Sequence, residues 1–218
     1  MTPVSIDIVS DVMCPWCFVG KRRLEKALAS LGDLPVEVRW HPFQLDATLP
    51  AEGKDRRKYL EEKFGGPERA KEIYARIEEA GTAEDIPFAF DKIEKSPNTL
   101  NAHRVIRWAG VEGVQDAVVE RLFAAFFLEG ADLSDTAVLA RLAGEGGMEE
   151  AVVARLLSGE ADLAETEADV VHAQAMGVTG VPCFILDRKY AVSGAQPADV
   201  LAGAIREVAA QRETADDA

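Results

Sequence analysis

Hydrophobic positions change their period along residues 1–45. VSIDIV, Val4 to Val9, is short and β-branched, with no helical spacing, and predicts a buried strand. Beyond it, Leu24, Ala27, Leu28 and Leu31 recur at helical spacing. Pro15 suits the first turn of that helix, where its missing N–H costs nothing, and Gly32 is a stop. VEVRWHPF, Val36 to Phe43, alternates like a second strand that Pro42 ends. Residues 1–45 therefore read β-α-β.

A long helical stretch follows. Ala70, Ile73, Tyr74 and Ile77 make one apolar stripe, and Ala102, Val105, Ile106 and Ala109 make another, capped by Asn98 or Thr99. Val114, Val118, Leu122 and Phe126 make a third. Val138, Leu139 and Leu142 follow a Ser134-Asp135 start, and Val152 with Leu156 predicts one more short helix. IPFAFDKIEKSPN between the first two stripes reads as an extended connector, because Pro87 and Pro97 disfavour helix before them. A helix over 161–176 ends at Gly177; CFIL and YAVSG read as two short strands turning at Asp187-Arg188; a helix over 197–210 closes the chain. The two ends carry β-α-β and α-β-β-α, the element order of a thioredoxin fold. The expected architecture is α/β: a discontinuous thioredoxin-like domain of residues 1–45 and 161–210, an all-helical insertion of 46–160, and a flexible tail of 211–218.

Composition narrows the function. At 218 residues about 70% of the unfolded chain's surface can be buried, so no metal or disulfide is needed to hold the fold. The net charge of −14 argues against nucleic acid and anionic membrane as partners. No apolar run reaches the roughly 20 residues of a membrane span. The opening MTPVSIDIVSD lacks a basic region followed by an apolar core, so the expected location is the cytoplasm. Three cysteines fit a purely structural disulfide framework poorly.

In SDVMCPWCFVGKRRLEKAL, Cys14 and Cys17 stand three apart at the predicted helix start. Residues at that spacing face each other on a helix, so the two sulfurs can join in a small loop. Free N–H groups and roughly half a positive charge at a helix N-terminus stabilise an anionic sulfur at the first position. Cys14 is the expected nucleophile and Cys17 the resolving thiol. The competing reading is a pair of buried small apolar residues. GVTGVPCF is a second signal, a Val181-Pro182 step just before a strand, where a trans proline would disturb the ladder. A cis bond there would let the Val181 backbone face Cys14 and pair with an extended peptide.

SDVMCPWCFVGKRRLE, WHPFQL, SPNTLNAHR and GVTGVPCFI together resemble the DsbA-like thioredoxin superfamily, in particular its cytosolic FrnE-like branch. The resemblance spans nearly the whole chain. It implies a thiol-disulfide oxidoreductase or isomerase, with a cis Pro182. No bound cofactor is expected beyond the redox-active disulfide, with glutathione a candidate electron donor. The expected partners are protein or small-molecule disulfides and thiols. Cys183 departs from the pattern, standing where an apolar residue such as phenylalanine is expected. It is either a buried small residue or a third redox thiol that could trap Cys14.

Other residues near these motifs carry two readings each. Asp7 is a relay for the Cys17 proton or a hydrogen-bonded strand residue. Asp11 caps the turn or tunes Cys14 by like charge. Pro15, Trp16, Phe18 and His103 are candidates for a substrate rim, with Phe43 beside them. His41, His103 and His172 show no metal-ligand spacing among themselves. Two other functions compete. Glutathione-dependent isomerases of the hydroxychromene-carboxylate type share the implied architecture but carry a serine where Cys14 stands. A soft metal held by Cys14, Cys17 and Cys183 is the other.

Overall fold

The chain opens with two parallel strands, β1 (Val4–Ser10) and β2 (Val36–Pro42), joined by the helix α1 (Pro15–Ala29). The computed structural model describes residues 2–216. After β2 come a two-residue strand β3 (Lys54–Asp55), α2 (Arg56–Phe64) and α3 (Pro67–Thr82). A second short strand, β4 (Lys95–Ser96), pairs with β3. The helices α4 (Leu100–Glu112), α5 (Gln115–Ala124), α6 (Thr136–Glu145), α7 (Glu150–Leu157) and α8 (Leu163–Ala175) follow. The chain then returns through β5 (Cys183–Leu186) and β6 (Tyr190–Ser193) to α9 (Ala198–Asp216). The main sheet runs β2-β1-β5-β6, with β5 antiparallel to both its neighbours. The order β-α-β, inserted helices, then α-β-β-α is that of a thioredoxin fold, an α/β architecture with a helical insertion.

Strand alternation gives the sheet two different faces. Val4, Ile6 and Ile8 of β1, with Leu186 opposite Ile6 and Phe184 opposite Ile8 on β5, belong to the large core cluster that includes α1, α9 and most inserted helices. Val9 and Cys183, also opposite each other, pack with Phe43, Ala173 and Val178 in a smaller cluster on the other face. Phe18 stacks on Phe123 of α5 at 5.2 Å and 11°, which ties α1 to the insertion. Such a pair contributes about 0.5–1.5 kcal/mol beyond its area.

The structure departs from the sequence expectation in three places. RRKYLEEKF forms α2, although it carries no apolar stripe. Asp55 caps it by accepting the Lys58 N–H at 2.9 Å, and Gly65 ends it with φ 79°. The connector between α3 and α4 contains a 3-10 turn at Phe90–Lys92 and the strand β4. The expected flexible tail is helical as far as Asp216, while residues 217 and 218 lie outside the described residues. Arg212 explains this: it donates to the carbonyls of Thr2 at 3.0 Å and Pro3 at 2.8 Å, and it pairs with Asp187. The β5–β6 turn falls where expected, with Asp187 and Arg188 both left-handed at φ 52° and 56°.

Candidate active site

The turn leaving β1 builds the site. Cys14 is the N-cap of α1, with extended backbone at φ −91° and ψ 111°, and Pro15 takes the first helical position. The Cys14 N–H donates to the Asp11 carbonyl at 2.9 Å, and the Cys14 carbonyl accepts from the Cys17 N–H at 3.0 Å. Cys17 lies one turn further on and is buried. Burial pushes the Cys17 thiol well above its ordinary value, and the hydrogen bond and charge of Cys14 push it further; Ser10 and the Asp11 backbone pull the other way. The three cysteines are free thiols.

The loop before β5 faces this turn. The Val181–Pro182 peptide bond is cis. The Cys14 thiol donates to the Val181 carbonyl at 3.6 Å. The Pro182 carbonyl accepts from the Gly194 N–H at 2.8 Å, which anchors the loop to the end of β6. Pro182 also rests on Gly20 of α1: a Cβ at Gly20 would meet Pro182 Cγ at 2.8 Å and Phe184 Cζ at 3.3 Å. Gly20 was not singled out from the sequence. Its signal was a glycine inside a helix, which costs about 1 kcal/mol against alanine and so calls for a packing reason.

Asp11 is completely buried and holds the turn in place. Its carboxylate accepts from the Met13 N–H at 3.4 Å and from the Leu45 N–H at 2.7 Å. His103 Nε2 lies 2.8 Å from the Phe43 carbonyl and 3.5 Å from Asp11 Oδ1. His103 is thus a buried tie between α4 and the segment after β2, not part of an open rim. Phe18 is likewise buried, stacked in the core. Pro15 is buried, and Trp16 remains the half-buried member of the expected rim. Asp7 points to the other face of β1 and pairs with His41 at 2.8 Å. It is not among the groups acting on Cys17, so the expected proton relay has no geometric support. The reason is the strand's period of two, which turns residue 7 away from the face of residues 6 and 8.

The same alternation separates Cys183 from the pair. Its side chain lies with Val9 in the smaller cluster, and the groups acting on its thiol are burial, which pushes it up, and Ser193, which pulls it down. The three sulfurs are therefore not gathered as soft-metal ligands. Among the described residues, no three His, Cys, Asp or Glu side chains are grouped to hold a metal ion. Among them, too, no helix is long and apolar enough to cross a membrane.

The chain is similar to known proteins along nearly its whole length. The family model of the DSBA-like thioredoxin domain matches residues 5–206. The crystal structure of the probable DsbA oxidoreductase SCO1869 from Streptomyces coelicolor superposes with a TM-score of 0.86 at 32% identity, covering 94% of this chain and 89% of that one. The protein YwbO of Bacillus subtilis (strain 168) is 27% identical over 205 residues, 94% of this chain and 96% of its own. The cytosolic disulfide reductase DsbM from Pseudomonas aeruginosa, solved with GSH, has a TM-score of 0.62 at 20% identity over 98% of this chain and 100% of its own, a likeness of fold.

Proposed function

The chain belongs to the DSBA-like thioredoxin domain family, and from that premise we propose that it is a thiol-disulfide oxidoreductase or isomerase with Cys14 as nucleophile and Cys17 as resolving thiol. The observation that carries the reading is the Cys14 sulfur at the tip of α1, 3.6 Å from the Val181 carbonyl, with Cys17 buried behind it. The Cys14 thiolate attacks one sulfur of a substrate disulfide. The other sulfur leaves as a thiolate and takes up a proton. Cys17 then loses its proton and attacks the Cys14 sulfur, and the second substrate thiol departs. The protein ends as a Cys14–Cys17 disulfide and the substrate as two thiols. An external dithiol or two equivalents of a monothiol such as glutathione return the pair to its starting state.

The Val181 backbone has its carbonyl turned to the sulfur and so suits an extended peptide or a glutathione backbone laid beside Cys14. Trp16, half-buried two residues after Cys14, is the candidate for its rim. In a cytoplasmic setting, that of DsbM, the glutathione pool favours the dithiol form, which suits reduction or isomerisation over oxidation. The test is insulin reduction, together with recovery of a scrambled disulfide protein, by the reduced full chain. Turnover in either assay, lost in Cys14→Ser, is the expected result. No thiol exchange, combined with turnover of a glutathione-linked isomerisation, would replace this reading by the small-molecule isomerase.

A further inference from the structure

Two cations are buried to nearly the same depth and are treated differently. Lys21 on α1 is 3% exposed and faces three carboxylates, Glu25, Asp116 at 3.1 Å and Glu120 at 3.0 Å. Arg56 at the start of α2 is 5% exposed and, among the described residues, forms no ion pair. Its Nη2 donates to the Tyr74 hydroxyl at 3.0 Å. Its guanidinium lies over the rings of Tyr74, Phe90 and Phe126 at 5.3, 5.8 and 5.7 Å. Ring faces attract a cation but do not neutralise it. A buried charge is normally paired, and among the described residues no carboxylate pairs with this one.

Arg56 also lines a cavity of about 430 Å³ between α2 and α3. Arg57, Lys71, Glu61, Glu78 and Asp91 complete its charged lining. Four of these are exposed and Glu61 is half-buried, so their two signs are screened by water. The unneutralised charge is the one held at depth. Tyr74 also lines this cavity. Burial pushes its phenol up, Arg56 pulls it down, and the charge of Cys14 pushes it up again. Arg56 and Cys14 thus act on one hydroxyl.

We propose that the cavity between α2 and α3 is a carboxylate subsite, in which the Arg56 guanidinium and the Tyr74 hydroxyl receive the carboxylate of a small acidic thiol or disulfide whose sulfur reaches Cys14. The substrate part of this assignment rests on the redox reading of Cys14, whereas the anion binding does not. Arginine's planar fork suits a carboxylate, and the buried site strengthens the contact.

Two measurements on the reduced full chain test it. The first is calorimetric titration with S-methylglutathione, which has two carboxylates and no exchangeable sulfur. Binding should weaken about tenfold or more in Arg56→Met, since a hydrogen bond to a charged group contributes about 1.5–3 kcal/mol. It should weaken a few-fold in Tyr74→Phe, which keeps the ring packing, and it should be lost with the diethyl ester of the probe. The second is single-turnover reduction of glutathione disulfide and of uncharged bis(2-hydroxyethyl) disulfide; the protein dithiol supplies both electrons, so no further reductant is needed. The ratio of the two rates should fall about tenfold in Arg56→Met. Unchanged binding and an unchanged ratio in Arg56→Met and Tyr74→Phe would overturn the subsite and leave Arg56 a cation caged by rings. Arg56-dependent binding with neither disulfide reduced would uphold the subsite and overturn the redox reading instead.

Discussion

Cys14 and Cys183 lie on opposite faces of one sheet, are buried to 4% and 3% exposure, and are both free thiols. Burial and residue type are the same, so neither distinguishes the two sulfurs. The surroundings differ. Cys14 caps a helix, stands one helix turn from a second thiol and faces a backbone carbonyl held by a cis-proline loop. Cys183 sits inside a strand, opposite Val9, with Ser193 its one polar neighbour acting on the thiol. The first arrangement offers a sulfur a charge-stabilising dipole and a partner to exchange with; the second offers packing.

The sharpest way to break this contrast is to remove each sulfur. Cys14→Ser should slow single-turnover disulfide reduction by on the order of 10³-fold, because a serine hydroxyl is a weak nucleophile without an adjacent base. Cys183→Ser should stay within about twofold. Equal losses would show that Cys183 shares the chemistry. Next, Cys17→Ala should stop the reaction at a mixed disulfide, seen by intact mass as Cys14 carrying half of the substrate. A Cys14–Cys183 disulfide appearing in that variant would join the two regions that the sheet keeps apart.

Gly20→Ala sharpens the comparison from the loop side. The added methyl meets Pro182 at 2.8 Å, so the loop must move away from α1 and carry the Val181 carbonyl with it. Reduction should slow about tenfold, since displacements of this kind at a reacting centre can cost up to about 10²-fold. Overpacking costs about 1–3 kcal/mol and helix propensity returns about 1, so the denaturation midpoint should fall only slightly. A large stability loss with an unchanged rate would place Gly20 in packing alone.

The smallest effect is on pH. Burial holds the Cys17 proton in the folded state past the point, about pH 8.5, where the unfolded thiol releases it. In that range the folded protein binds more protons than the unfolded one, so stability of the reduced protein falls as pH rises. The limit is about 1.4 kcal/mol per pH unit for one such thiol. Below about pH 8.5 this contribution is constant. Denaturant titrations between pH 8.5 and 10 should show a shallower fall in Cys17→Ala than in the parent, with Cys183→Ala intermediate. Identical slopes in all three would contradict the buried-thiol picture.

The thiol pair and the Val181-Pro182 step were legible because both are local: a spacing on one helix turn and a proline at a strand start. The rim was not. Phe18 lies one residue past Cys17 yet points into the core, and His103 is turned inward to the Phe43 carbonyl. Neighbourhood in sequence does not fix which way a helical side chain faces when helices pack on both sides of it. α2 escaped detection because its residues have no apolar stripe, and Arg56 escaped with it, since a buried arginine is uncommon.

By itself the sequence determined the alternation that makes the strands, the stripes that make most of the helices, and the placing of Cys14 and Cys17 at a helix start. These are properties of a few consecutive residues. Tertiary structure decided which face of β1 each side chain takes, that Asp11 ties the thiol turn to Leu45, that Pro182 settles on Gly20, and that Arg56 is buried against the Tyr74 hydroxyl and three aromatic rings. Each of these depends on groups far apart along the chain, whose meeting is set by how the inserted helices close over the sheet.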